Sequence, residues 1–164
     1  MFFVGQYELT IDAKNRLSVP HAIRSKMNCD TDGRSFYVLP GERAGMLAIY
    51  ADLYFERSVR NWNPREANLS REGHAWRRFE LSQAALLDPD SQGRILIPDR
   101  LLKRCGMKDE VTLIGVQDHL ELWDREAYNR FQDEHWTKYD ERRERAMDEY
   151  RNLPIGGEIS VPKA

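Results

Sequence analysis

Cysteine is scarce: Cys29 and Cys105 are the only two in 164 residues. They lie far apart and in no zinc-ligand or C-x-x-C spacing, which excludes a disulfide framework, a zinc finger and a thioredoxin-like site. Both read as reduced, partly buried thiols of a cytosolic protein. Long apolar runs are missing too, since none approaches the roughly 20 residues of a membrane helix. The opening MFFVGQYE has no basic stretch and no small-residue cleavage site, so a secretory signal is not expected. The expected location is the cytoplasm.

An excess of charge of either sign is lacking as well. Lys and Arg number 25 against 27 Asp and Glu, for a formal net charge of −2. A nucleic-acid-binding monomer usually carries a visible basic surplus. Such a role therefore needs cations gathered on one face, or many weak sites acting together.

Catalytic signatures are also absent. The chain has no HExxH, GxSxG, Walker A or GxGxxG segment. The four histidines, His21, His74, His119 and His135, share no paired spacing on a helix face and read as surface or satisfied side chains. Asp88-Pro89-Asp90-Ser91-Gln92-Gly93 overlaps a calcium-loop pattern, with Asp99 at its twelfth place. That pattern wants a bidentate Glu at twelve and an exiting helix, whereas Arg94 to Ile97 reads as a strand. No enzyme, metal, cofactor or small-molecule substrate is expected.

What the chain does have is a repeat. Asp12 to Pro20 reads DAKNRLSVP and Asp90 to Pro98 reads DSQGRILIP, at a constant offset of 78. Ile23 and Leu101 extend the match, and recurrence of this kind marks two copies of one supersecondary unit. Gln6 to Ile11 alternates apolar and polar residues, as a strand does. Asp12 to Asn15 carries turn chemistry, because Asp bonds its own backbone two residues on and Asn tolerates positive φ. Arg16 to Val19 is the returning strand, and Pro20 opens a short helix over His21 to Met27. Strands follow at Phe36 to Leu39 and Leu47 to Tyr50.

Between the copies the pattern predicts a helix over Leu53 to Val59 and a break at Asn63-Pro64. A second helix is expected from Arg65 to about Ser82, with Leu69, Trp76 and Phe79 on its buried side. The second copy then repeats the order, with strands at Ala84 to Leu87 and Arg94 to Ile97. A helix runs from Pro98 through Cys105 with Gly106 as left-handed cap, and strands recur at Val111 to Ile114 and Leu120 to Trp123. From Asp124 to about Arg151 one charged helix is expected, with Tyr128, Phe131, His135 and Tyr139 as a narrow aromatic stripe. Glu141 and Arg145 are an i,i+4 pair. Residues 152 to 164 read as a mobile tail.

The repeated turn is the one candidate for chemistry. Asp four residues before Arg sets a cation beside a carboxylate at a hairpin tip. It can be a structural ion pair that holds the turn in shape. Alternatively Asp12 and Asp90 orient the loop while Lys14, Arg16 and Arg94 face a polyanion, since Arg suits both phosphate and the guanine O6/N7 edge. Periodicity alone leaves the two readings even.

MFFVG at the start, the twin DAKNRLSVP and DSQGRILIP segments, and ELWD from Glu121 to Asp124 together resemble the MraZ family of bacterial transcriptional regulators. The resemblance implies an α+β chain with the AbrB-like swapped-hairpin β-barrel, built from two tandem βαββ-type repeats with flanking helices and a C-terminal helix. The implied organisation is a SpoVT-AbrB-like repeat over 5–52, a helical linker over 53–82, a second repeat over 83–126, and a C-terminal helix with flexible tail over 127–164. It also implies sequence-specific binding of double-stranded DNA at repeated promoter boxes, by a ring-shaped homo-oligomer, in the division and cell-wall gene cluster. The family motif, Asp-x-x-x-Arg with Gly before Arg, carries over to Asp12, Lys14 and Arg16, and to Asp90, Gly93 and Arg94. Asn15 stands where Gly is usual, and Gln92 holds the place of Lys14, which leaves the second copy with less charge. The rival readings are an AbrB-like antitoxin and a ring scaffold without DNA affinity.

Overall fold

A computed structural model describes residues 2–43, 45–66 and 69–152, with backbone alone for 62–66. Among these residues are eight strands and six helices. In chain order the first half runs β1 (Gln6–Thr10), β2 (Arg16–Ser18), α1 (His21–Arg24), β3 (Phe36–Pro40), β4 (Met46–Ala51) and α2 (Asp52–Glu66). The second half runs α3 (Arg71–Gln83), β5 (Ala85–Leu87), β6 (Arg94–Leu96), α4 (Asp99–Cys105), β7 (Glu110–Val116), β8 (His119–Asp124), α5 (Arg125–Trp136) and α6 (Tyr139–Asn152). The chain is a mixed α+β protein with an antiparallel sheet.

The described residues up to Tyr128 form one compact unit, and those from Asn129 to Asn152 form a second. Within the first, six strands make one sheet in the order β1-β7-β8-β4-β3-β5, while β2 and β6 pair separately. The two repeats interleave. β1 of the first pairs with β7 of the second, placing Leu9 opposite Val111. In mirror fashion β5 of the second pairs with β3 of the first, placing Leu87 opposite Phe36. Like strands also meet, β4 with β8 and β2 with β6, while β3–β4 and β7–β8 are antiparallel hairpins.

The core follows the same duplication. Leu17 and Ile95, Val19 and Ile97, and Ile23 and Leu101 are equivalent positions of the two copies, and all six are buried in one cluster. Burial on β2 and β6 alternates, with Leu17 and Ile95 inside between partly or fully exposed neighbours, which is the period-two signature of a half-buried ribbon. Gly106 caps α4 at φ 62°, the left-handed conformation expected of it.

Four expectations need correction. α2 continues through Asn63-Pro64 and ends at Glu66. A proline removes one N–H and crowds one carbonyl, so the helix stops two residues beyond it instead of at it. α3 starts at Arg71, where the Ser70 hydroxyl accepts from Gly73 N at 3.1 Å. It meets the sheet through Leu81 near its C-terminal end. Leu69, Trp76 and Phe79 are accordingly exposed, at 40%, 62% and 46%. Third, the long C-terminal helix is two. Near the junction, Thr137 donates both its N–H and its hydroxyl to Asp133 O, at 3.1 and 2.7 Å, and Lys138 N turns to His135 O. This tightened last turn ends α5. Finally, Cys29 is exposed, although Cys105 is half-buried as read.

The aromatic stripe divides between the two units. Tyr128 is buried and meets Trp123 edge-on at 5.9 Å. On the second unit Phe131 and His135 lie 4.0 Å apart, and Tyr139 is exposed. Glu141 and Arg145 form the expected ion pair. Of the expected mobile tail over 152–164, Asn152 is the last residue of α6, and 153–164 lie outside the described residues.

Candidate nucleic-acid interface

The two repeated turns have the same geometry, atom for atom. Asp12 Oδ1 accepts from the backbone N–H of Lys14 at 2.9 Å and of Arg16 at 3.0 Å. Its Oδ2 accepts from Arg16 Nε at 2.7 Å and pairs with Nη2 at 2.6 Å. At the second turn Asp90 Oδ1 accepts from Gln92 N and Arg94 N at 2.9 and 3.0 Å. Its Oδ2 takes Arg94 Nε at 2.8 Å and Nη2 at 2.7 Å. Asn15 N closes the first turn onto Asp12 O, and Gly93 N closes the second onto Asp90 O, both at 2.8 Å. Asn15 has φ 60° and Gly93 φ 77°, the left-handed conformation that these residue types tolerate.

The carboxylate of each turn is thus fixed by four donors. Both Asp12 and Asp90 are held near pKa 2, below the ordinary 3.8, chiefly by the arginine side-chain hydrogen bond and then by the arginine backbone N–H. Arg16 is raised by its bond to Asp12, and Asp90 adds a smaller favourable field. The arginine side chains are neither buried nor free, with 31% of Arg16 and 27% of Arg94 exposed. Each uses its Nε and Nη2 edge on its own aspartate, and the described residues offer no hydrogen-bond partner to Nη1.

The two turns are also tied to each other. Val19 N donates to Gly93 O at 3.1 Å and Ile97 N donates to Asn15 O at 2.9 Å. In the ribbon between them, Arg16 lies opposite Leu96 and Ser18 opposite Arg94. Since Leu17 and Ile95 point inward, these four share the outer face, where Leu96 is 58% exposed. The arrangement presents two fixed guanidinium groups, flanked by Lys14, on one short two-stranded surface. The ion pair of the structural reading is formed at both turns, and each arginine stays partly exposed beside its aspartate.

Comparison with known proteins supplies the family. The family model described as "MraZ protein, putative antitoxin-like" matches residues 81–150. A protein named Transcriptional regulator MraZ from Mycoplasmoides gallisepticum is 30% identical over 148 residues, covering 90% of this chain and 99% of that protein. Proteins of the same name from Burkholderia cenocepacia and Burkholderia mallei are each 35% identical, covering 77% of this chain and 85% and 84% of their own. The chain belongs to the MraZ family.

For this MraZ-family chain, sequence reasoning missed one residue beside the turns. Arg24, on α1, lays its guanidinium across Gly93, where an added Cβ would stand 2.4 Å from Cζ and 2.5 Å from Nε. Its Nε donates to Val19 O at 3.0 Å. The signal was unavailable from spacing, because α1 and the second turn meet only through the folded ribbon. ELWD also gains a structural account: the Asp124 carboxylate accepts from Ala127 N at 3.1 Å and so caps α5. Of the histidines, His119 alone of those named lies between carboxylates, with Asp118 Oδ1 at 2.7 Å and Glu121 Oε1 at 3.6 Å. Among the described residues no group of three or more His, Cys, Asp or Glu could hold a metal ion. No helix there is long and apolar enough to cross a membrane.

Proposed function

We propose that the chain is a DNA-binding transcriptional regulator that grips repeated promoter boxes with its paired turns and acts as a ring-shaped homo-oligomer. One observation carries this reading. Two equivalent turns, hydrogen-bonded to each other, each hold a partly exposed arginine by its Nε and Nη2 on one aspartate oxygen, while Nη1 has no hydrogen bond among the described residues. Arg16, Arg94 and Lys14 are the contacting cations, and Asp12, Asn15, Asp90 and Gly93 shape the tips. The fold proposed for this purpose is the AbrB-type swapped hairpin, a reading supported by the exchange of β1 and β5 between repeats. On it, residues 5–52 and 83–126 are the two repeats, 53–82 the linker, and 127–164 the C-terminal extension.

The names of the relatives support regulation of transcription over catalysis, and a chromosomal role places the protein in the cytoplasm with the nucleoid. The division and cell-wall gene cluster is the proposed target. A net charge of −2 gives a single subunit little general attraction to DNA. Joining several subunits on matched boxes raises avidity by about 10²- to 10⁴-fold without any new contact.

The test is a titration of the full chain against a fluorescein-labelled duplex of the DNA upstream of its own coding sequence, and against progressively shortened fragments. Light scattering of the complexes runs in parallel. Affinity should fall by 10²-fold or more once fewer than two boxes remain, at a fixed protein mass. Equal affinity for every fragment, or a monomer in the complex, would overturn the proposal. The antitoxin reading draws on the antitoxin-like character ascribed to the matching family. A stoichiometric small protein co-purifying from the native host, with no DNA affinity in the titration, would favour it.

A further inference from the structure

The second turn lacks a cation that the first turn has, for Gln92 occupies the place of Lys14. We propose that Arg24 supplies the missing charge, so that each tip offers duplex DNA two cations: Lys14 with Arg16, and Arg24 with Arg94. The inference rests on the DNA-binding reading above and names a further residue of that surface.

Arg24 comes from the first repeat yet stands over the second repeat's turn. Three of its guanidinium atoms lie within 2.7 Å of the place a Gly93 Cβ would take. Any larger residue at position 93 would displace it. Its position is set by Nε, which donates to Val19 O at 3.0 Å, while the same residue's N–H is bonded to Gly93 O. That single residue, Val19, therefore ties the arginine to the tip. Among the described residues Nη1 and Nη2 have no hydrogen-bond or ion-pair partner.

Two carboxylates share the open cavity of about 320 Å³ that Arg24 lines. Both are already engaged, Asp90 by Arg94 and Asp88 by the Ser35 hydroxyl. A half-buried guanidinium held in place beside engaged acids is well prepared for a phosphate oxygen. The asymmetry is specific to this position. Its equivalent in the second repeat, at the offset of 78, is Leu102, which is buried. The first turn carries Lys14.

The experiment measures binding of the labelled upstream duplex at several salt concentrations for wild type, Arg24→Gln, Arg24→Gln with Gln92→Lys, Arg24→Lys and, as control, Arg16→Ala. Arg24→Gln should bind more weakly, with the slope of log K against log salt shallower by about one unit per engaged subunit. Gln92→Lys should restore that slope, because it puts a cation back at the same tip. Arg24→Lys should keep the wild-type slope even if its thermal midpoint drops, and it answers the question should Arg24→Gln fail to fold. A wild-type slope for Arg24→Gln, a slope loss in Arg24→Lys, or a loss that Gln92→Lys does not restore would make Arg24 a buttress of Gly93 only, and would overturn the inference. If Arg16→Ala also binds like wild type, the turn reading itself falls, and the two failures are thereby told apart.

Discussion

Asp12 and Asp90 decide the shape of the tips. Each carboxylate has a folded-state pKa near 2, below its ordinary value of 3.8. A depressed acid contributes stability that is present above its unfolded pKa and is lost as pH falls through the folded one. The turns should therefore hold their geometry from neutral pH down to about 4 and loosen as pH falls toward 2. Carbon-detected NMR titration of the two carboxyls checks this, and midpoints near 4 would contradict the aspartate–arginine pairing. Position 93 makes a second prediction. Alanine there would adopt φ 77° and meet the Arg24 guanidinium, costing about 1–2 kcal/mol for the left-handed backbone before any displacement of the arginine. Asn15→Gly should change stability by less than about 0.5 kcal/mol, because Asn already accepts φ 60°. Chemical denaturation of both variants measures the contrast. The Asp, Asn and Gly roles were legible in the sequence because turn chemistry is local. Arg24 was not legible, since its partner is distant along the chain and only tertiary structure brings them together.

At the level of elements, the β2–β6 ribbon joins the surface to the core. Leu17 and Ile95 face each other across it, fully buried. Truncating either to alanine should cost about 2–5 kcal/mol, measurable by denaturant unfolding, and should weaken DNA binding through loss of the ribbon. The β7–β8 hairpin carries a pH response of its own. His119 is raised above its ordinary value, first by Glu121 and also by Asp118, against the opposing effect of burial. A raised histidine contributes stability that is fully present below its unfolded pKa near 6.5 and is lost as pH rises through the folded value. The thermal midpoint of wild type relative to His119→Phe should therefore be higher at pH 5.5 than at pH 8.5. An equal difference at both would contradict it. Strands and the α4 cap were readable from alternation and from Gly106. Helix faces were not: the apolar residues of α3 are few, and which of them meets the sheet depends on where Ser70 starts the helix. The split at Thr137 was equally hidden, because a side-chain hydroxyl bonding back to Asp133 O leaves no mark in the charge pattern.

Across the whole molecule, duplication in the sequence becomes interleaving in space. The segments at a constant offset of 78 take the same turn geometry, yet no spacing rule dictates that β1 should pair with β7, or β5 with β3. The two turns are joined by the separate β2–β6 ribbon, where Val19 and Ile97 each bond the other segment's tip. The ribbon also explains how a chain without basic excess can present arginines in a fixed pair. The most direct measurement of this account is binding of the labelled upstream duplex by Arg16→Ala and Arg94→Ala, with particle mass determined on the same samples. The account predicts weaker binding for both, a shallower salt dependence, and a mass unchanged from wild type. Binding equal to wild type in both variants, or dissociation into monomers in place of lost affinity, would contradict it.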